Sequence, residues 1–284
     1  MRKIALQDKE YPALLKEIAQ APKQLYVRGV PESLKNAYEQ KVPIVAIVGS
    51  RRATSYGMEM AFMLARDLAL EGAIIVSGLA MGIDAQAHRG ALGGGGTTWA
   101  VLGSGIENIQ PAINRKLAED ILRNNGLVIS EYGGKANATK WTFPERNRII
   151  AGLSQATIIV EAAERSGALI TARLALDANR DVGAVPGEAR SINSKGTHSL
   201  LKEGAALIQD AGDVLELLGV EKKKPNLDKI DEIEHHILHS LAAPKTADEL
   251  GDLIQCSMQE LNIHLSALEI AGAIKNKDGL FYKI

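Results

Sequence analysis

From Pro43 to about Leu218 the chain alternates short, almost uninterrupted apolar runs with longer segments whose apolar residues recur at helical spacing. The runs are IVAIVG, AIIVSG, TTWAVLG, GLVISE, ATIIVEA and DVGAVPG. Runs of this length, apolar at every position, predict strands buried on both faces, and the segments between them are long enough for crossover helices. The pattern predicts an α/β protein with a doubly wound, mainly parallel sheet.

The flanks read differently. Residues 1–42 predict a helix (YPALLKEIA), a strand (QLYVRG) and a second short helix, an extension packed on the core at 43–218. After Leu218 a charged, proline-containing stretch, GVEKKKPNLDK, predicts a linker at 219–228. Residues 229–284 predict three helices (EIEHHILHSLA, TADELGDLI and SMQELNIHLSALEIAG) and two strands turning at Lys277-Asp278-Gly279. Three helices and a hairpin make a small winged helix-turn-helix domain.

Composition narrows the classes. Of 284 residues 46% are hydrophobic but only 4% aromatic, so the core must be built from Ala, Ile, Leu and Val. The net charge of −1 excludes a globally basic protein, not a local basic patch. A single cysteine, Cys256, excludes an intramolecular disulfide and a Cys-rich zinc site. The N-terminus lacks the apolar centre of a signal peptide, and no apolar run approaches the roughly 18 residues of a membrane span. A cytoplasmic protein with no membrane partner is expected.

Ligands of open α/β sheets bind beyond the carboxyl ends of the strands. The stretches following the six runs are rich in glycines and hydroxyls. They also hold Arg51, Arg52, Lys140, Arg146, Arg148, Arg165 and Lys195, which would converge on one rim. Backbone N–H groups, helix N-termini and cations together suit a phosphate.

Arg146 and Arg148 pose a question of their own. Thr142 and Glu145 are spaced as a capping box, so both arginines fall near a helix N-terminus, where the dipole disfavours cations. Either a phosphate lies between them and the dipole, or they pair with Glu131 or Glu161. Ser166 reads as an N-cap. Asp84 and His88, four apart, read as a structural pair or as catalytic or metal-binding groups. Trp141 and Phe143 read as core or as base-stacking platforms. His235, His236 and His239 read as a solvated face. No P-loop, G-x-G-x-x-G or G-x-S-x-G motif is present, and no nucleophile–base–orienter set can be assembled.

In their order, AIVGSRRATSYG, IVSGLAMGIDAQAHRGAL, GLVISEY, FPERNRIIAGLSQATIIVEA, SGALITARLA and VPGEARSINSKGTHSLLKEGA resemble the DNA-processing protein A (DprA, or Smf) family, from about Tyr11 to Leu218. The resemblance implies a Rossmann-like core that acts without catalysis, metal or nucleotide cofactor. It implies a homodimer that binds single-stranded DNA entering in natural transformation, protects it and helps load the RecA recombinase. Carried onto this chain, the phosphate-binding residues are Gly49, Ser50, Arg51, Arg52, Lys140, Arg146, Asn147, Arg148, Ser166, Gly167 and Thr171, with Phe143 and Trp141 as stacking candidates. Gln110 stands where the family usually has Tyr, and His198 where Asn is common. The alternatives are a small-nucleotide sensor or a nucleotide N-glycosidase of the lysine-decarboxylase-like type, whose P-G-G-x-G-T-x-x-E motif is absent. The C-terminal domain carries five Lys against nine Asp and Glu, so a protein-interaction role is favoured there over duplex reading.

Overall fold

The computed structural model describes residues 1–220, 231–270, 272–277 and 279–284. Most of the expected linker, and Asp278 of the expected turn, lie outside the described residues. The chain divides into two compact units, Met1–Lys222 and Lys223–Ile284.

The first unit opens with β1 (Arg2–Ala5), α1 (Ala13–Lys16), β2 (Gln24–Arg28) and α2 (Glu32–Glu39). The core follows as β3 (Ile44–Val48), α3 (Ser55–Leu70), β4 (Ile74–Ser77), α4 (Ile83–Gly93) and β5 (Thr98–Leu102). A 3₁₀ turn (Ala112–Asn114) leads into α5 (Arg115–Arg123), then β6 (Leu127–Ser130), α6 (Thr142–Leu153), β7 (Ala156–Ile159) and α7 (Gly167–Asp177). After β8 (Asp181–Ala184), a second 3₁₀ turn (Ile192–Ser194) leads into α8 (Lys195–Lys202), β9 (Ala206–Leu207) and α9 (Ala211–Leu217).

Among the described residues one nine-stranded sheet runs β1-β2-β6-β5-β4-β3-β7-β8-β9. The strands from β3 to β9 pair in parallel, as their apolar runs predict. The N-terminal segment is not merely packed on this core. A strand at Arg2–Ala5, which the sequence reading missed, pairs antiparallel with β2, and β2 pairs antiparallel with β6. The helix expected from YPALLKEIA is a single turn.

Strand β3 shows why the sheet is covered twice. Ile44, Ala46 and Val48 join a core with residues of α1, α2, α6 and α7, whereas Val45 and Ile47 join one with α3, α4 and α9. Successive side chains of a strand point to opposite faces, so a fully apolar strand needs a layer on each. This alternation also creates the crevice. The chain leaves β3 into α3 on one face and leaves the adjacent β7 into α7 on the other. The two connections part at the carboxyl ends of β3 and β7, the place where open α/β sheets hold ligands.

Helices α3 and α4 pack closely on one face. Gly90 of α4 lies against α3 so tightly that a methyl group there would overlap the Phe62 carbonyl oxygen and stand 2.9 Å from Ala65 Cβ.

The second unit holds α10 (Glu232–Ser240), β10 (Lys245–Thr246), α11 (Ala247–Ile254), α12 (Met258–Ile270), β11 (Ile274–Lys277) and β12 (Leu280–Lys283). Its three-stranded antiparallel sheet runs β10-β12-β11, one strand more than the expected pair. Ile237, Leu250, Leu261, Leu265 and Phe281 form its own core. His235, His236 and His239 are exposed.

Candidate nucleic-acid interface

A cavity of about 830 Å³ opens at the carboxyl ends of β3 and β7. Its floor is the turn after β3. The Ser50 amide donates to the Glu161 carbonyl (2.8 Å), and the Ile83 amide to the Ser50 carbonyl (3.2 Å). The turn fits only without a side chain at Gly49, since a Cβ there would stand 2.6 Å from Ile83 Cγ1 and 2.9 Å from the Glu161 oxygen. Ser50 Oγ accepts from the Arg52 amide (3.1 Å). Arg51 and Arg52 are thereby carried outward, both exposed and without an ion-pair partner among the described residues.

The opposite wall comes from α6 and α7. Ser166 caps α7, its Oγ accepting from the Ala168 amide (3.3 Å). Gly167, which has nothing within 4 Å of where a Cβ would be, opens onto the cavity, and Thr171 lines it one turn on. Asn147 Nδ2 reaches the Gly167 carbonyl (3.4 Å) and joins the two helices. Lys140 lines the mouth, exposed. Phe143 lies half-buried beside it, with the Arg51 guanidinium 4.7 Å from its ring centroid, a cation–π geometry.

The fold thus brings Gly49, Ser50, Arg51, Arg52, Lys140, Phe143, Asn147, Ser166, Gly167 and Thr171 around one cavity. It treats three others differently. Arg148 is turned away: its Nη2 lies 2.6 Å from Glu131 Oε2, with 15% of the side chain exposed, beside a separate hollow lined by Gln20 and Lys23. Trp141 is 76% exposed and outside the lining. Arg146 lines the cavity but is 4% exposed, and its Nη1 donates to the carbonyls of Gly78 (2.6 Å) and Val101.

Those partners answer the question of the two arginines. The Arg146 guanidinium leaves the positive end of its helix for carbonyl oxygens at the carboxyl ends of β4 and β5, while Arg148 takes Glu131. The expected capping box is absent. Thr142 is already helical, its hydroxyl bonds Thr139, and Glu145 accepts from the Tyr132 hydroxyl (2.7 Å). Glu161 takes neither arginine but accepts from the Thr54 amide and hydroxyl (2.9 and 2.5 Å).

Arg146 belongs to a clamp that spacing alone could not show. Asp84 Oδ2 accepts from the Gly78 and Ala80 amides (3.1 and 3.4 Å), and Asn114 Nδ2 donates to the Leu79 and Ala80 carbonyls (2.8 and 3.2 Å). Between them Leu79 is held at φ +56°, an uncommon conformation for a residue with a side chain. Burial pushes the Asp84 carboxyl up, opposed by the nearby Arg146 guanidinium and the loop amides. Burial also pulls Arg146 down to about 10, with Asp84 opposing and Arg51 adding, so the guanidinium stays charged at neutral pH.

Asp84 and His88 do not pair with each other: Asp84 holds the loop after β4 and lines the cavity, and His88 bonds β5. His88 Nδ1 lies 2.7 Å from Thr98 Oγ1, which itself donates to the Ile75 carbonyl (2.7 Å), so the histidine must be the donor. His88 Nε2 is buried with no partner, and burial pushes the ring down to about 3. Gln110 and His198 both lie outside the cavity lining. In the second unit Asp231, Glu234 and His264 gather within 4.8 Å, with both carboxylates already engaged in a capping box at the start of α10.

A cavity with Arg51, Arg52 and Lys140 in its lining, at the switch point of a doubly wound sheet, places the chain among the doubly wound α/β proteins. Residues 2–219 match the family model of DNA recombination-mediator protein A, and the chain belongs to that family. The match includes the antiparallel β1-β2 pair, beginning earlier than the motifs alone indicated. The chain is 44% identical to the DNA processing protein DprA of Streptococcus pneumoniae over 72% of this chain and 70% of that protein. It is 40% identical to the protein Smf of Escherichia coli over 73% of this chain but only 54% of that protein. The S. pneumoniae DprA crystal structure superposes with a TM-score of 0.70 at 42% identity, covering 76% of this chain and 73% of that one. A DNA processing protein A structure from Helicobacter pylori, described for its single-stranded DNA binding mode, superposes with a TM-score of 0.66 at 32% identity, covering 77% of this chain and 96% of that one. No helix among the described residues is long and apolar enough to cross a membrane.

Proposed function

We propose that this chain binds single-stranded DNA in the cavity at the carboxyl ends of β3 and β7, and through it serves DNA processing in transformation and recombination. One observation carries the reading: Arg51, Arg52 and Lys140, none with an ion-pair partner among the described residues, stand around a cavity whose opposite wall is the N-terminus of α7. Cations bind phosphates without reading base sequence, and Phe143, in the lining, is the stacking candidate beside them. Arg148 has no part in phosphate binding on this reading. The H. pylori relative supports it through the nucleic acid named for that protein.

Protection of incoming strands, RecA loading and homodimerisation are part of this proposal, and family membership supports them. A second protomer would add a second cavity and raise avidity on long strands. The three helices and three strands of the second unit we read as a winged helix. Its acidic surplus favours a protein partner over duplex DNA.

The test is titration of the whole chain into a fluorescent oligothymidine at two salt concentrations, with a mononucleotide as competitor. Three or four neutralised phosphates give a salt slope of roughly −2 to −3 per protomer. Arg51→Ala should weaken binding and flatten that slope by about 0.7, the single-strand value for one lost contact. Phe143→Leu should weaken binding by about 1–3 kcal/mol with the slope kept. Ready displacement by the mononucleotide would turn the reading toward a small-nucleotide sensor.

A further inference from the structure

The two 3₁₀ turns, Ala112–Asn114 and Ile192–Ser194, are built alike. Each contains an Ile-Asn pair and runs directly into a helix, α5 or α8. In each the asparagine turns inward and holds a loop of the site. Asn114 donates to the carbonyls of Leu79 and Ala80, and Ala80 lines the cavity. Asn193 lines the cavity itself, and donates to the Arg52 carbonyl (3.3 Å) while its own carbonyl accepts from the Ala162 amide (2.8 Å).

In each the isoleucine faces solvent. Ile113 is 76% exposed and Ile192 69%, although the core of this unit is made of residues of that kind. Held on turns tied to the site loops, they cannot fold inward to hide. Exposed cations follow both: Arg115 and Lys116 after Ile113, Lys195 after Ile192, none with an ion-pair partner among the described residues.

We infer that the two turns are the outer supports of a longer single-stranded DNA track, crossing the sheet edge from one Ile-Asn turn to the other through the cavity. This rests on the DNA-binding reading above and adds the residues beyond the cavity. An apolar side chain beside free cations matches what a single strand offers, bases and sugars beside phosphates. Continuity with the cavity, through Asn193 and Ala80, gives one strand a way to meet all three places.

The experiment compares oligothymidines of about 4 and about 16 nucleotides, the ends of the range a single binding module commonly spans. The proteins are the whole chain, an Ile113→Ser/Ile192→Ser double variant and Arg51→Ala. The double variant should bind the short strand as the parent does and the long strand about tenfold more weakly. Arg51→Ala should weaken both. Unchanged long-strand binding in the double variant overturns the track and leaves the isoleucines as a surface for a protein partner. Equal weakening on both lengths also overturns it, because the turns then act only by shaping the cavity. If the unaltered chain binds neither strand, the DNA-binding reading falls and the track with it.

Discussion

The guanidinium of Arg146 donates to the Gly78 carbonyl at 2.6 Å, joining the first turn of α6 to the loop after β4. It lines the cavity as a buried fastener, 4% exposed, with carbonyl oxygens as its partners. Arg146→Ala should therefore lower stability by about 3 kcal/mol, since two carbonyls are left buried without their donor and Asp84 loses the nearby opposite charge. DNA binding should weaken as the loop loosens, with the salt slope kept. Gly78→Ala should act similarly without removing charge, because its methyl group would stand 2.6 Å from the guanidinium. Urea unfolding beside salt-dependent titration checks both. A fully stable Arg146→Ala with a flatter slope would put Arg146 on a phosphate instead.

Arg148 is expected to matter for stability alone. Its pair with Glu131 is mostly shielded, so Arg148→Met should cost about 1–2 kcal/mol and leave DNA affinity and salt slope unchanged. In a double-mutant cycle with Glu131→Gln the pair should show a coupling of about 1 kcal/mol. Zero coupling, or weaker DNA binding in Arg148→Met, would contradict the assignment.

His88 should give the fold an acid-sensitive limb. Its folded value, about 3, lies below the ordinary histidine value of 6.5. The unfolded chain therefore takes up the proton first, so the stabilisation is complete above about pH 6.5 and is lost as pH falls toward the folded value. The steepest loss is about 1.4 kcal/mol per pH unit. His88→Gln should have a lower midpoint in urea at neutral pH and a shallower fall in acid. Parallel pH profiles for the two proteins would refute it.

Gly90→Ala tests the α3–α4 contact. By helix propensity alone alanine would stabilise by about 1 kcal/mol. Overlap with the Phe62 carbonyl should reverse the sign, for a net loss of about 1–3 kcal/mol in urea unfolding. A gain in stability would mean that the helices separate freely.

The parallel core was legible along the chain because a strand buried on both faces must be apolar at every position, and a capped helix start such as Ser166 is a matter of a few neighbouring residues. The glycine and hydroxyl turns at Gly49-Ser50 and Ser166-Gly167 were legible for the same reason. Strand β1 was not: Arg2 and Lys3 are exposed, and only pairing with β2 makes the segment a strand. Nor was the destination of Arg146, whereas Glu131 was one of the two partners the sequence offered for the pair of arginines. Arg146 finds carbonyls 68 and 45 residues away, and Arg148 finds Glu131 17 residues away. A long side chain takes whatever partner the packing brings within reach, and no spacing along the chain records it. Local chemistry determined the strands, the turns and a cationic rim. Only the folded sheet decided which cations face the cavity and which hold it together.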